Sequence, residues 1–216
     1  MRDFNFLEVF SSLLLAAQWT VLLSLIAFSG GAILGLVITL MRISSNRVLK
    51  GIARFYVEFF QGTPLLLQLF LIFFGIPILV GYDVSPWISA SVALIAYVAA
   101  FQSDIWRGCV EAIPKSQWEA GAAVGLTYMQ QLRLIIIPQA FKISIPPTIG
   151  FLVQVVKNTS LTSIIGFVEL TRQGQILNNV TFQPFVLFTL VGIIYFALCY
   201  PLSLYSKYLE RKLILT

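Results

Sequence analysis

The chain has 216 residues, 58% of them apolar and only 11% charged, with a net charge of +5 and a mean hydropathy of +0.90. Soluble domains usually carry about 25% charged residues, so this composition leaves too little polar surface to coat a globule in water. It excludes a soluble domain and points to an all-α protein embedded in lipid. The two cysteines, Cys109 and Cys199, form no spacing pattern and histidine is absent, so no metal site is expected. The positive charge alone invites a nucleic-acid reading, but in a membrane protein the placement of charge decides, and no nucleic-acid partner is expected.

Uncharged runs extend from Val9 to Met41, Phe59 to Tyr82 and Val84 to Ser103. Each meets the roughly 20 residues needed to cross the bilayer core. The first is too long, and lacks the small-residue cleavage site, for a removed signal peptide. Taken in chain order, the pattern predicts five membrane helices: Ser12–Leu40, Ile52–Phe74, Trp87–Ile105, Ile143–Gly166 and Pro184–Ser206. They form a single transmembrane domain over residues 1–216, with no separate soluble unit.

In the first helix Gly31 and Gly35 make a GxxxG pattern, which lets helices approach closely in lipid. In the second, Glu58 is an ionisable group inside a span and so a functional candidate. Four residues later Gly62-Thr63-Pro64 should distort or break the helix and free backbone groups, with Gln61 and Gln68 adding polar atoms nearby. That break either lines a water-filled pathway or is a kink satisfied within the bundle. Asp104 and Arg107, near the end of the third helix, are expected to pair with each other or with a neighbour. Trp87, Trp106 and Tyr205 are expected as interface anchors.

Between the third and fourth spans the chain turns small and polar over Gln117–Ala140. Pro114 suits the first turn of a helix, and Gly125 suits its end, since glycine takes the left-handed conformation cheaply. Thr127 and Gln130 form a capping-box pair that opens a second helix, which Pro138 is expected to end. Little side-chain bulk stands on Ala120, Gly121, Ala122 and Ala123. The first helix therefore either enters a groove on another protein or packs against its own membrane helices.

The fourth span passes abruptly from apolar residues to Lys157-Asn158-Thr159-Ser160 and back to apolar at Leu161. Asn, Thr and Ser are good N-caps. The pattern predicts a helix broken here, with a new N-terminus facing a cavity and suited to an anion such as an α-carboxylate. Glu58 or Glu169 would then receive the ammonium. The alternative is a polar gate or dimer contact without a ligand.

Basic residues gather on one side of this plan: Arg42, Arg47, Lys50 and Arg54, then Arg107, Lys115, Arg133 and Lys142, then Lys207, Arg211 and Lys212. The other side holds Asp3, Glu8, Asp83 and Glu169 against Arg2 and Arg172. The positive-inside rule predicts an outside N-terminus and a cytoplasmic C-terminus. No phosphate-binding G-x-x-x-x-G-K-[ST] run is present, so the chain carries no ATP site of that kind.

Glu119-Ala120-Gly121, then Gly125, then Ile135, Ile137 and Pro138 resemble the EAA loop of ABC-importer permeases. Gly121 replaces the second alanine of that motif and Ile137 its leucine. "GTPLLLQLFLIFFG", "AIPKSQWEA" and "KNTSLTSIIGFVELTRQGQ" extend the likeness to the polar amino acid subfamily. The resemblance implies a type I importer permease fold in a bacterial inner membrane. In it, a coupling helix within residues 112–138 engages a separate ATPase through Glu119, Ala120, Gly121 and Gly125. ATP and Mg would sit in that partner and no cofactor in this chain. It further implies a second permease copy or homologue, an extracytoplasmic binding protein and a polar amino acid as cargo. The pathway candidates are Glu58, Thr63, Lys157, Asn158, Thr159, Ser160 and Glu169. A secondary transporter or channel, or a membrane-embedded enzyme, are the rival readings from residues alone.

Overall fold

The computed structural model describes residues 5–214; Arg2 and Asp3, two of the charges used for orientation, lie outside the described residues. Helix α1 (Phe6–Ile43) starts at Asn5, whose side-chain oxygen accepts from the Leu7 N–H at 3.2 Å. It is followed by α2 (Arg47–Gly62), α3 (Leu65–Phe70), a π-helical turn (Leu71–Gly75) and α4 (Ile76–Val80). Helix α5 (Pro86–Glu111) leads through α6 (Lys115–Ala123) and α7 (Tyr128–Gln131) to a second π turn (Leu132–Ile136). Then come α8 (Ile137–Asn158), a 3-10 helix (Thr159–Ile165), α9 (Leu170–Thr181) and α10 (Pro184–Ile214).

Among the described residues, four continuous helical stretches are long and apolar enough to cross a membrane: Phe6–Ile43, Pro86–Glu111, Tyr128–Ile165 and Pro184–Leu213. The fifth expected span is a bent pair, Arg47–Gly62 with Leu65–Val80, meeting at 103°. The expected break at Gly62-Thr63-Pro64 is therefore present. Proline disfavours the helical region for the residue before it, and Thr63 is extended at φ −114°, ψ 142°.

Two expectations about the later helices change. Pro138 does not end the second loop helix, because the helical path runs on from Tyr128 to Ile165. The π turn over Leu132–Ile136 directly precedes α8, whose first turn holds Pro138. A π turn shifts bonding to i→i+5, which lets the path take in a residue with no N–H. The fourth span thus begins well before Ile143. Nor does it break at Lys157–Ser160. Asn158 stays helical and caps nothing, and the 3-10 helix continues without a new N-terminus. Its hydroxyls turn back on the helix instead: Thr159 Oγ1 donates to Val156 O at 2.8 Å and Ser160 Oγ to Lys157 O at 2.7 Å. The tighter 3-10 winding is compatible with these i−3 bonds.

The bundle is built around α5. Helix α1 packs on it more extensively than any other pair of helices does, and α2 and α8 also lean on α5. The core there joins Leu23 and Ala27 of α1 to Ala90, Ala93, Leu94 and Val98 of α5. The GxxxG pair makes this contact close. A Cβ on Gly31 would stand 2.3 Å from Val98 Cγ1, and one on Gly35 would stand 3.0 Å from Ala99 O. At the basic end of the bundle Arg42 Nη1 donates to Asp104 Oδ1 at 2.9 Å. Arg107 joins at 3.2 Å and also holds Glu111. Asp104 thus pairs with both its helix neighbour and α1.

Gly31→Ala should destabilise the protein by about 1–3 kcal/mol through overpacking. Gly51, whose Cβ would meet nothing within 4 Å, is the control. Thermal unfolding in detergent should show a lower midpoint for Gly31→Ala than for Gly51→Ala. Equal midpoints would remove the close α1–α5 approach.

Candidate functional site: loop helix, helix breaks and pathway face

Helix α6 opens at Pro114 and closes in a Schellman turn. The Gly125 N–H donates to Ala122 O at 3.0 Å and the Leu126 N–H to Gly121 O at 3.1 Å, with Gly125 at φ +79°. The capping box then opens α7 as expected: Gln130 N–H donates to Thr127 Oγ1, and Gln130 Oε1 accepts from the Thr127 N–H at 2.9 Å. Gln131 Nε2 donates to Leu126 O at 2.8 Å, and Trp118 stacks on Tyr128 at 5.5 Å between centroids. The two halves of the loop are thereby fixed to each other.

Of the four loop candidates, Glu119, Ala120 and Gly125 are exposed, while Gly121 is buried. A Cβ on Gly121 would come within 2.8 Å of Gln131 Cγ and 3.0 Å of Ile135 Cδ1. Gly121 therefore faces the loop's own interior rather than outward, which explains glycine where the motif has alanine. Val124 and Met129, 75% and 65% exposed, extend the outward apolar surface.

The break between α2 and α3 is closed by Gln68, only 3% exposed. Its Nε2 lies 2.9 Å from Phe60 O and 3.1 Å from Thr63 O, and Thr63 Oγ1 donates to Phe59 O at 2.8 Å. Carbonyls left without partners by Pro64 are thus supplied from side chains. Glu58 lies on the exposed face of α2 and makes no ion pair among the described residues.

A new helix N-terminus does face the interior, but at Leu170 rather than near Lys157. It is occupied by the chain's own carboxylate. Glu169, with no exposed surface, accepts from the Thr171 and Arg172 N–H groups at 2.9 Å each and from Tyr195 Oη at 2.8 Å. The Leu170 N–H donates to Thr20 Oγ1 at 3.1 Å, tying α9 to α1. Glu169 is thus engaged within the fold. Thr20 and Tyr195 were not singled out from the sequence; Thr20 is one of several polar residues along α1, with Gln18, Ser24 and Thr39, and nothing in the sequence distinguishes it.

Along α8 the exposed polar side chains are Lys142 near its start and Gln154 and Lys157 near its end, and Gln154 Nε2 donates to Asn158 Oδ1 at 3.2 Å. Thr159 is fully buried and Ser160 half-buried. Among the described residues no hydrogen bond or ion pair joins this step to Glu58. The two stand on α2 and α8, each packed on α5.

Residues 28–215 match the model of the binding-protein-dependent transport system inner membrane component family. The chain belongs to that family. It is 38% identical to the L-cystine transport system permease protein TcyB of Bacillus subtilis (strain 168), over 90% of this chain and 83% of that one. It is 32% identical to the probable amino-acid ABC transporter permease protein YckA of the same organism, over 95% and 91%. A solved amino acid ABC transporter with histidines superposes with a TM-score of 0.91 at 31% identity, covering 98% of this chain and all of that one. The inward-facing MetNI methionine ABC transporter has the same fold, with a TM-score of 0.76 at 21% identity over 93% and 96%. The protein has the type I importer permease fold and is a membrane-spanning permease subunit.

Gln68→Leu keeps the volume but leaves the Phe60 and Thr63 carbonyls without a donor, at a cost of about 1–3 kcal/mol. Lower thermal stability together with protease sensitivity near residues 60–66 is expected; unchanged behaviour on both measures argues against Gln68 as the closure of the break.

Proposed function

We propose that this permease forms the pathway of an ATP-driven importer for a polar amino acid and is driven by a separate ATPase subunit. The observation that carries the proposal is the near-full-length likeness, in sequence and fold, to permeases described as amino acid transporters. One chain presents its polar membrane residues, Glu58 on α2 and Lys157 on α8, on uncovered faces. Ionisable groups in a membrane face a bundle interior or a water-filled cavity. A second permease copy or homologue covers them and completes the pathway.

Within that pathway Glu58 and Thr63 on one side, and Lys157, Asn158, Thr159 and Ser160 on the other, contact or flank the amino acid. Glu169 supports the route by holding the start of α9. Helix α6 is the coupling helix: Glu119 and Ala120 dock on the ATPase, Gly125 sets the turn, and Gly121 keeps the helix pressed onto its base. Mg and ATP belong to that partner, and an extracytoplasmic binding protein delivers the solute. The loaded binding protein and the nucleotide state bias one inward–outward equilibrium. The basic end of the bundle, with α6, faces the cytoplasm of a bacterial cell and the N-terminus lies outside.

Gly125→Leu tests the coupling assignment. Nothing stands within 4 Å of a Cβ at that position, so the change acts through the left-handed backbone alone. The mutant should insert in the membrane yet fail to retain or activate the ATPase in co-purification and hydrolysis assays. Normal coupling would remove α6 from the role.

Thr159→Val and Ser160→Ala test the pathway. A hydrogen bond to a charged group contributes roughly 1.5–3 kcal/mol, or about ten- to a hundredfold in affinity. Uptake into vesicles should fall while substrate-independent ATP hydrolysis in the same preparation persists. Parental uptake in both mutants would confine these hydroxyls to their bonds with Val156 and Lys157.

A further inference from the structure

We infer that the cleft between α1, α5 and α8 is a binding site for one acyl chain of an anionic phospholipid. The cleft encloses about 440 Å³ and runs along α1 from Phe28 to Ile43, with Trp106 of α5 and Ile137, Phe141 and Ile149 of α8 opposite. At 1.5 Å per residue those positions on α1 lie about 22 Å apart. Half of a bilayer's hydrocarbon core is about 15 Å thick, so the cleft accommodates a chain from one leaflet, the leaflet on the α6 side. Leu36 and Leu40 line it yet are 51% and 50% exposed. It therefore opens sideways, where lipid is.

The lining excludes a polar solute. Its polar side chains already have partners within the protein: Thr39 Oγ1 donates to Gly35 O at 2.7 Å and Ser144 Oγ to Phe141 O at 2.8 Å. Trp106 Nε1 donates to Thr148 Oγ1 at 2.9 Å. With those groups engaged, an alkyl chain suits the cleft and an amino acid would lose its hydration there.

Charge selects the head group. At the α6 end Arg42 and Arg107 are engaged by Asp104 and Glu111. Arg133, about one turn before Ile137, and Lys142, next to Phe141, are exposed and make no ion pair among the described residues. A cation near an anionic lipid surface favours it roughly fivefold, so these two select a phosphodiester carrying net negative charge over a zwitterionic one. The site joins the membrane to the first turns of α8, the continuation of the loop that carries α6.

Trp106 reports on the site directly. The assembled complex, with Trp19, Trp87 and Trp118 of this chain and every tryptophan of its partner subunits replaced by phenylalanine, is placed in phosphatidylcholine vesicles holding a minor fraction of phosphatidylglycerol. Either lipid carries brominated chains. Brominated phosphatidylglycerol should quench Trp106 at a several-fold lower mole fraction than brominated phosphatidylcholine. Arg133→Gln with Lys142→Gln should erase that preference, and Leu36→Phe with Leu40→Phe should weaken quenching by both lipids. Equal quenching by the two lipids in the parent would reduce the cleft to ordinary boundary lipid. Absence of quenching by either would mean that a protein segment, such as the second permease copy, fills it. Native mass spectrometry of the unmutated complex reads the site independently: a retained phosphatidylglycerol is expected, and none retained overturns the proposal. Neither readout depends on which solute is carried.

Discussion

Inside a bilayer, a backbone carbonyl or N–H released from a helix has no water to bond with, and each unsatisfied group is costly. At two helix breaks inside the bundle a buried side chain replaces the missing partner. Gln68 reaches back to Phe60 and Thr63 across the Pro64 break, and Glu169 accepts the first N–H groups of α9. Without them a 103° bend and a helix starting inside the protein would expose polar backbone to apolar surroundings. The irregular backbone that a transport pathway needs is tolerated because these two side chains close it.

The same rule governs the 3-10 segment. Thr159, Ser160, Thr162 and Ser163 each donate to the carbonyl three residues back. Hydroxyls that the sequence offers as caps thus bond along the helix and leave its carbonyls doubly used. Polar residues in a span can therefore accompany a change of helical pitch instead of a chain break. Gln154, bonded to Asn158, and Lys157 remain on the exposed face beside this segment.

The surface loop works differently, because most of its residues are exposed rather than packed in the bundle. Its shape depends on Gly125 at φ +79° and on the absence of a Cβ at Gly121. One glycine is required by backbone conformation and the other by space. The helical path runs from Tyr128 into α8, which lies against α5, and the Gln131–Leu126 bond and the Trp118–Tyr128 stack fix α6 to its start. Helix α5 in turn is held to α1 through Gly31, Gly35 and the Arg42–Asp104 pair. Helices α6, α8, α5 and α1 thus form one connected series of packed elements.

Much of this was legible in the residues. Apolar run lengths announced the spans, Gly-Thr-Pro announced the bend, and Thr127 with Gln130 announced the capping box, because each depends on local sterics or on transfer from water. The GxxxG pair was visible as a pattern, though its partner helix was not. What only the tertiary structure decided was the destination of polar side chains. Glu169 reads as a candidate for a ligand's ammonium until Tyr195 and Thr20, distant in sequence, are brought against it and α9. Gly121 reads as part of an outward face until Gln131 and Ile135 close over it. Pro138 reads as a stop until a π turn carries the helix through it. Local backbone preference is written in short runs of residues, whereas the partner of a buried polar group is chosen by packing between segments far apart in the chain.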